Sequence, residues 1–343
     1  MDEVTPTGPE LAVSDDVVWL RVEDPSASGT VRRRAAEVAE RIGFDERAVG
    51  EISIVATELA TNLAKYAHDG SVLVRVLRAG HATGLTIVAL DHGPGMKDMQ
   101  ALFVDGESTS GTLGIGLGAV RRLADSYDAH SVPGQGTVVT ATFWRGEPAD
   151  EPAAGLARSL EGEDECGDAY AVRRTERGLL LMLADGLGHG TLAAHASTEC
   201  VRCFRDSSEE APAALLREIH GAVSATRGAA VAIANVDPGA ERLTYAGVGN
   251  IAGRLVLERQ KRGLVSTPGI VGHNLRRVQD TTYDLVPGAW LVMHSDGLTD
   301  KWDLDAYPGL LSRSPLVVAT TLLRDAAVRR DDASVLVWPV DQR

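Results

Sequence analysis

Cysteine is scarce, with only Cys166, Cys200 and Cys203 in 343 residues. Cys200-Val-Arg-Cys203 has CxxC spacing, but no second pair and no histidine pair completes a zinc set. The pair falls in a helical pattern, so reduced core or surface thiols are expected rather than a zinc or redox motif. Basic residues are outnumbered too: 34 Lys and Arg face 48 Asp and Glu, a formal net charge of −14. With no dense basic run, that balance speaks against a general nucleic-acid binder. No apolar stretch approaches the roughly 20 residues that span a bilayer. The opening MDEVTPTGPE is acidic and polar, unlike a secretory signal. A cytoplasmic protein with no membrane or nucleic-acid partner is the expectation.

What is present is an ordinary globular composition, 44% hydrophobic and 24% charged, at a length that allows two domains with separate cores. Residues 1–14 read as a loose tail and Val17–Val22 as a strand. Ser28 is a candidate cap for a helix to about Ile42, and Asp45 for a helix over Glu46–Ala67. On the latter, Ile52, Val55, Ala56, Leu59 and Leu63 form an apolar stripe. Glu58 and Asn62 stand four apart and share a face, which on its own describes any two solvent-side polar residues. The apolar run Gly84–Leu90 ends in Asp91-His-Gly-Pro-Gly95, a strand-end carboxylate before a glycine turn. Gly111-Thr-Leu-Gly-Ile-Gly-Leu-Gly118 then opens a short helix. Exposed amides at such a helix start cradle phosphate, although a glycine-rich loop alone is often a plain surface connection.

Taken in order, Glu58-x-x-x-Asn62, Asp91-x-Gly-Pro-Gly95, the glycine loop and Gly136-Thr137 resemble the GHKL ATPase/kinase family, over roughly residues 15–144. The stretch Ser108–Leu123 resembles the ATP lid of its RsbT/RsbW-like serine-kinase branch. The resemblance implies a GHKL (Bergerat) α/β sandwich that binds ATP and Mg²⁺. It implies Asn62 as the Mg²⁺ ligand and Glu58 as general base toward a substrate hydroxyl. Asp91 would accept from the adenine amino group, with Thr137 nearby. Gly93 and Gly95 would admit the base, and Gly114, Gly116 and Gly118 would wrap the phosphates.

Residues 146–165 are rich in Gly, Pro, Ala and acid and read as a linker between domains 1–145 and 166–343. Beyond it, Leu180–Ala184 delivers Asp185-Gly186 to a turn, and Trp290–Ser295 delivers Asp296-Gly297 in the same way. Asp168 opens an earlier strand and Asp331-Asp332 precedes the last one. Each alone is a turn or strand end. Together, strand-edge carboxylates without a His or Cys pattern point to Mg²⁺ or Mn²⁺. Paired strands with segregated helices make the class α+β.

The pattern GDAY…ADGLGHG…SDGLTD…RDDAS resembles the SpoIIE/RsbX branch of type 2C (PPM) serine/threonine phosphatases, over about residues 160–340. That resemblance implies an α-β-β-α sandwich with a two-metal site. Asp185 would bridge both metals, the Gly186 carbonyl and Asp296 would complete the second, and Asp168 would hold waters of the first. Asp331 is favoured over Asp332 as the last ligand. The phosphate-binding arginine of eukaryotic relatives has no evident counterpart. His189 is either a substrate contact or structural; His195, His220, His273 and His294 are expected to be structural.

The expected whole is a bifunctional bacterial partner-switching regulator. A Mn²⁺/Mg²⁺-dependent phosphoserine/phosphothreonine phosphatase would be joined to an ATP-dependent serine kinase acting on STAS-domain, stressosome or anti-anti-sigma proteins. The alternative makes the first domain a non-catalytic ATP-binding module that docks a sigma factor or other partner and regulates the phosphatase. Oligomerisation is compatible with both.

Overall fold

A computed structural model describes residues 11–12, 17–79, 82–97, 116–258, 260–275, 277–328 and 330–340. The chain divides into two compact units, one of Ser14–Glu151 with Trp302–Asp325, the other of Met1–Val13, Pro152–Lys301 and Ala326–Arg343. Compared with the division read from the sequence, two segments change sides.

The first unit has a five-stranded antiparallel sheet in the order β2 (Val17–Val22), β3 (Gly70–Ala79), β4 (Ala82–Asp91), β6 (Gly136–Arg145), β5 (Ser126–Val132). Helices α1 (Ala27–Arg41), α2 (Glu46–Tyr66) and α3 (Gly116–Leu123) bury one face of it. The α2 stripe packs as its spacing predicts, with Ile52, Val55, Ala56, Leu59 and Leu63 in the core. Asp45 caps α2, accepting from the Ala48 amide at 2.8 Å. Helix α1 starts earlier than a Ser28 cap requires. The Asp24 carboxylate accepts from the Ser26 amide at 2.7 Å and turns the chain into the helix there.

The second unit is a sandwich. One sheet runs β1 (Leu11–Ala12), β8 (Asp168–Arg174), β9 (Leu179–Gly186), β10 (Ala229–Asp237), β11 (Arg242–Val248), β14 (Ser266–Thr267), with β15 (Thr281–Asp284) also on β11. The other runs β13 (Gln260–Gly263), β12 (Ala252–Leu257), β16 (Trp290–His294), β17 (Ala333–Pro339), β7 (Ala154–Arg158). Strand β9 is apolar on both faces because both are covered. Leu181 and Leu183 point into the core between the sheets. Leu180, Met182 and Ala184 point the other way, toward Phe204 of α4 (Thr191–Asp206) and Leu216 of α5 (Pro212–Ala222).

Three segments depart from the sequence reading. The supposed tail supplies β1, which pairs with Val172 and Arg173. The supposed linker contains β7, paired along β17. Its small residues look like linker composition, but Gly155 is small because it lies against the Tyr170 ring. Helix α6 (Pro315–Ala326) and the turns before it group with the first unit through Asp325. There the Ser314 amide donates to Asp128 at 2.7 Å, and His130 Nε2 meets the Pro308 carbonyl at 3.1 Å. No helix of the described residues is long and apolar enough to cross a membrane.

Candidate functional site

In the sandwich unit, Asp168 and Asp185 are directly opposed in the β8–β9 register. Side chains alternate along a strand, so both carry the parity of Tyr170, Val172, Leu181 and Leu183 and lie on the inter-sheet side. Directly opposed residues have Cβ atoms about 5 Å apart, and like charges there repel. From the second sheet, β16 ends at His294 and runs into Ser295-Asp296, while Asp331-Asp332 leads into β17, its antiparallel neighbour. Four strand ends therefore deliver carboxylates to one edge.

Exposure grades across the cluster. Asp168 is buried, Asp185 half-buried, and Asp296 and Asp331 exposed. Asp168 accepts from the Ser295 hydroxyl at 2.6 Å, and that hydroxyl in turn accepts from the Ser334 amide at 3.0 Å. Asp296 accepts from Asn250 at 2.6 Å. Burial, and then the neighbouring carboxylates, push Asp168 up to about 7. Burial, and then Asp168, Asp296, Asp331 and Asp332, push Asp185 up to about 8. Asp331 is raised as well, by burial and then by Asp296. Asp332 is engaged otherwise: its two oxygens accept from the Leu160 and Gly167 amides at 2.7 and 2.9 Å. That favours Asp331 over Asp332 as a ligand.

Gly186 follows Asp185 at a point where a side chain would strike the Ala193 carbonyl, so the turn packs flush on the first turn of α4. The Gly186 amide donates to the Gly167 carbonyl at 3.0 Å. His189, in the exposed loop beyond, pairs with Glu163 at 2.7 Å. His220 accepts from the Gly272 amide at 2.9 Å, and the buried His294 lies between the Ser295 carbonyl and Asp300. Among the described residues, no three His, Cys, Asp or Glu side chains are drawn together around one point. The donor set is all oxygen, negatively charged and partly desolvated, which fits a hard divalent cation.

In the first unit, Glu58 and Asn62 are half-buried on α2, beside its core stripe. Asp91 ends β4 directly opposite Thr137 on β6, and Thr137 in turn faces Ser131 on β5. The Ser131 and Thr137 hydroxyls are 3.0 Å apart. Asp91 Oδ1 accepts from the Gly93 amide at 2.5 Å. Burial raises the Asp91 pKa, partly offset by that amide and by Arg324. A Cβ at Gly93 would lie 2.7 Å from Asp91 Oδ1 and 2.9 Å from the Tyr66 carbonyl. Gly95 has φ +63° and lies against the Val132 carbonyl. The chain's own packing thus demands both glycines. Gly116 and Gly118 form the first turn of α3; Gly114, with the first half of the lid stretch Ser108–Leu123, lies outside the described residues.

Several residues here carry no motif signal: Ser131, Asn250, Ser295 and a cluster built on α6. The buried Arg324 binds Asp325 through two hydrogen bonds of 2.6 and 2.7 Å and donates to the Asp91 carbonyl at 3.2 Å. Asp325 also meets His92 at 3.4 Å. Burial opposes its ionisation, but hydrogen bonds from Arg324, His92 and Tyr307 outweigh it and hold its carboxyl at about 2. Only spatial pairing reveals these partners.

Residues 22–143 match the histidine kinase-like ATPase domain family, and residues 175–340 match the stage II sporulation protein E (SpoIIE) family. The serine/threonine-protein kinase RsbT of Bacillus subtilis is 38% identical over 113 residues, 33% of this chain and 85% of that protein. The phosphoserine phosphatase RsbX of Bacillus subtilis is 26% identical over 141 residues, 40% of this chain and 70% of that protein. Among solved structures, RsbX in complex with magnesium aligns at 21% identity with a TM-score of 0.46, covering 55% of this chain and 96% of that one.

Proposed function

From a chain that belongs to the histidine kinase-like ATPase family through residues 22–143 and joins that domain to a SpoIIE-type phosphatase domain, we propose a bifunctional partner-switching regulator. The second domain makes it a PPM-type serine/threonine phosphatase, with phosphoserine or phosphothreonine on a STAS-domain protein as substrate. The observation that carries this reading is the direct opposition of Asp168 and Asp185 on neighbouring strands, with Asp296 and Asp331 near enough to raise the Asp185 pKa further.

Divalent cations, Mg²⁺ or Mn²⁺, would supply there a water of lowered pKa and polarise the phosphoryl oxygens. The chain's residues do the holding. Asp185 and the Gly186 carbonyl present oxygens from the β9 turn, Asp296 from the end of β16 and Asp331 from the approach to β17. Ser295 fixes the Asp168 carboxylate, and Asn250 fixes that of Asp296. The test is release of phosphate from a phosphorylated STAS-domain protein, with Mn²⁺ and after chelation. Release that survives chelation would refute the reading.

In the first domain, Asp91 and Thr137 would hold the adenine of ATP, Asn62 its Mg²⁺, and Glu58 would take the proton of the substrate hydroxyl. ATP would supply the transferred phosphoryl group. A second reading makes this domain an ATP-gated docking module for a sigma factor or other partner. The Arg324 bond to the Asp91 carbonyl favours it, because the residue that carries the base-binding carboxylate is anchored by the segment that leads on to Asp331. Wild-type protein that binds ATP but labels no STAS-domain partner would decide for the docking module.

A further inference from the structure

The acidic edge presents carboxylates, yet a phosphomonoester dianion also calls for a fixed cationic donor. Among the described residues, Arg227 brings a cationic donor to the Asp185 turn. Strand β10 begins with Ala229 directly opposite Gly186, so Arg227-Gly228 lies beside the Asp185 turn. The backbone there is tied on every side. The Leu187 amide donates to the Gly228 carbonyl at 3.0 Å, and the Ala229 amide donates to the Val271 carbonyl at 3.0 Å. The Thr226 hydroxyl donates to the Val223 carbonyl at 2.8 Å and accepts from the Gly228 amide at 3.0 Å. His273 Nε2 meets the Thr226 carbonyl at 3.0 Å.

From this turn the Arg227 guanidinium reaches over Gly188 in the loop after Asp185. A Cβ at Gly188 would lie 3.0 Å from its Nη1, and Gly188 has φ +90°. Arg227 is exposed, and no hydrogen bond or ion pair among the described residues engages its guanidinium. In a chain of net charge −14, an exposed arginine over the loop after Asp185 that pairs with none of the described carboxylates keeps its fork of donors free.

We infer that Arg227 grips the phosphoryl group of the substrate phosphomonoester at the acidic edge, and this rests on the phosphatase reading above. Two parallel N–H donors match two phosphoryl oxygens, and the pinned backbone fixes where the arm starts.

The experiment titrates inorganic phosphate into the Mn²⁺-loaded full-length chain by calorimetry, for wild type, Arg227→Ala and Arg227→Lys. It also measures KM for a phosphorylated STAS-domain protein and the affinity for Mn²⁺ alone. Arg227→Ala is expected to weaken phosphate binding and raise KM by about tenfold or more, with Lys intermediate and Mn²⁺ affinity kept. Equal phosphate affinity in wild type and Arg227→Ala would overturn the assignment, as would wild type that shows no saturable phosphate binding. Loss of Mn²⁺ affinity in Arg227→Ala would make the residue structural and also overturn it. Wild type that cleaves no phosphoprotein defeats the phosphatase reading instead, so the two failures are told apart.

Discussion

The two halves of the chain state their chemistry in different physical terms. In the sandwich unit the statement is electrostatic: Asp168 and Asp185 are directly opposed, and burial with the neighbouring carboxylates raises the pKa of both. Such a cluster asks for cations, and its ligands are fixed by backbone register. In the first unit the statement is steric and local. Asp91 stands alone, raised by burial rather than by other acids, in a row of acceptors and hydroxyls with Thr137 and Ser131. Opposed like charges point to cations as their counterpart. A single buried acceptor identifies a hydrogen-bonded ligand only together with its helix and loop.

The comparison breaks most sharply at Asp185. Asp185→Asn is expected to lower Mn²⁺-dependent phosphate release by about 10³-fold or more, leaving ATP affinity unchanged. Steady-state kinetics beside a nucleotide titration reads both; a loss of both would mean that the halves are one site. Next comes Glu58→Gln, expected to lower phosphoryl transfer from ATP by about 10²–10⁴-fold while ATP still binds and the phosphatase is unaffected. Radiolabel transfer to a STAS-domain partner measures it, and unchanged transfer would remove Glu58 as the base.

Smaller still is Asp325→Asn, which is expected to cost the first unit about 2 kcal/mol in denaturant unfolding, since it leaves the buried Arg324 unpaired. The sign follows from the depressed carboxyl. Its stabilisation is present above the unfolded carboxylate pKa and is lost as pH falls from about 4 to about 2. A variant as stable as wild type at pH 6 would show that the cluster contributes nothing.

Much of this was legible in the residues. The period of α2, the Asp45 cap and the acidic strand ends were plain, because each is a local pattern. What stayed hidden depends on pairing between distant segments. Asp168 and Asp185 share a face only through the β8–β9 register. The strand within 146–165 hides behind small residues, of which Gly155 leaves room for the Tyr170 ring. Arg324 and Asp325 look like an ordinary helix end until Asp91 and His92 are placed beside them. Arg227 sits in an unremarkable turn, and only the β9–β10 register sets it beside Gly186.

The central claim, that the acidic edge is a cation site, is tested most directly by melting the chelated full-length chain across pH with and without Mn²⁺. Folded carboxyls raised to about 7 and about 8 hold protons that the unfolded chain has already released. The metal-free sandwich unit is therefore expected to lose stability as pH rises from about 4 to about 8. Mn²⁺ would then raise its melting temperature more at pH 8 than at pH 6, and Asp185→Asn would abolish most of that gain. A melting temperature indifferent to Mn²⁺ at both pH values would contradict the account.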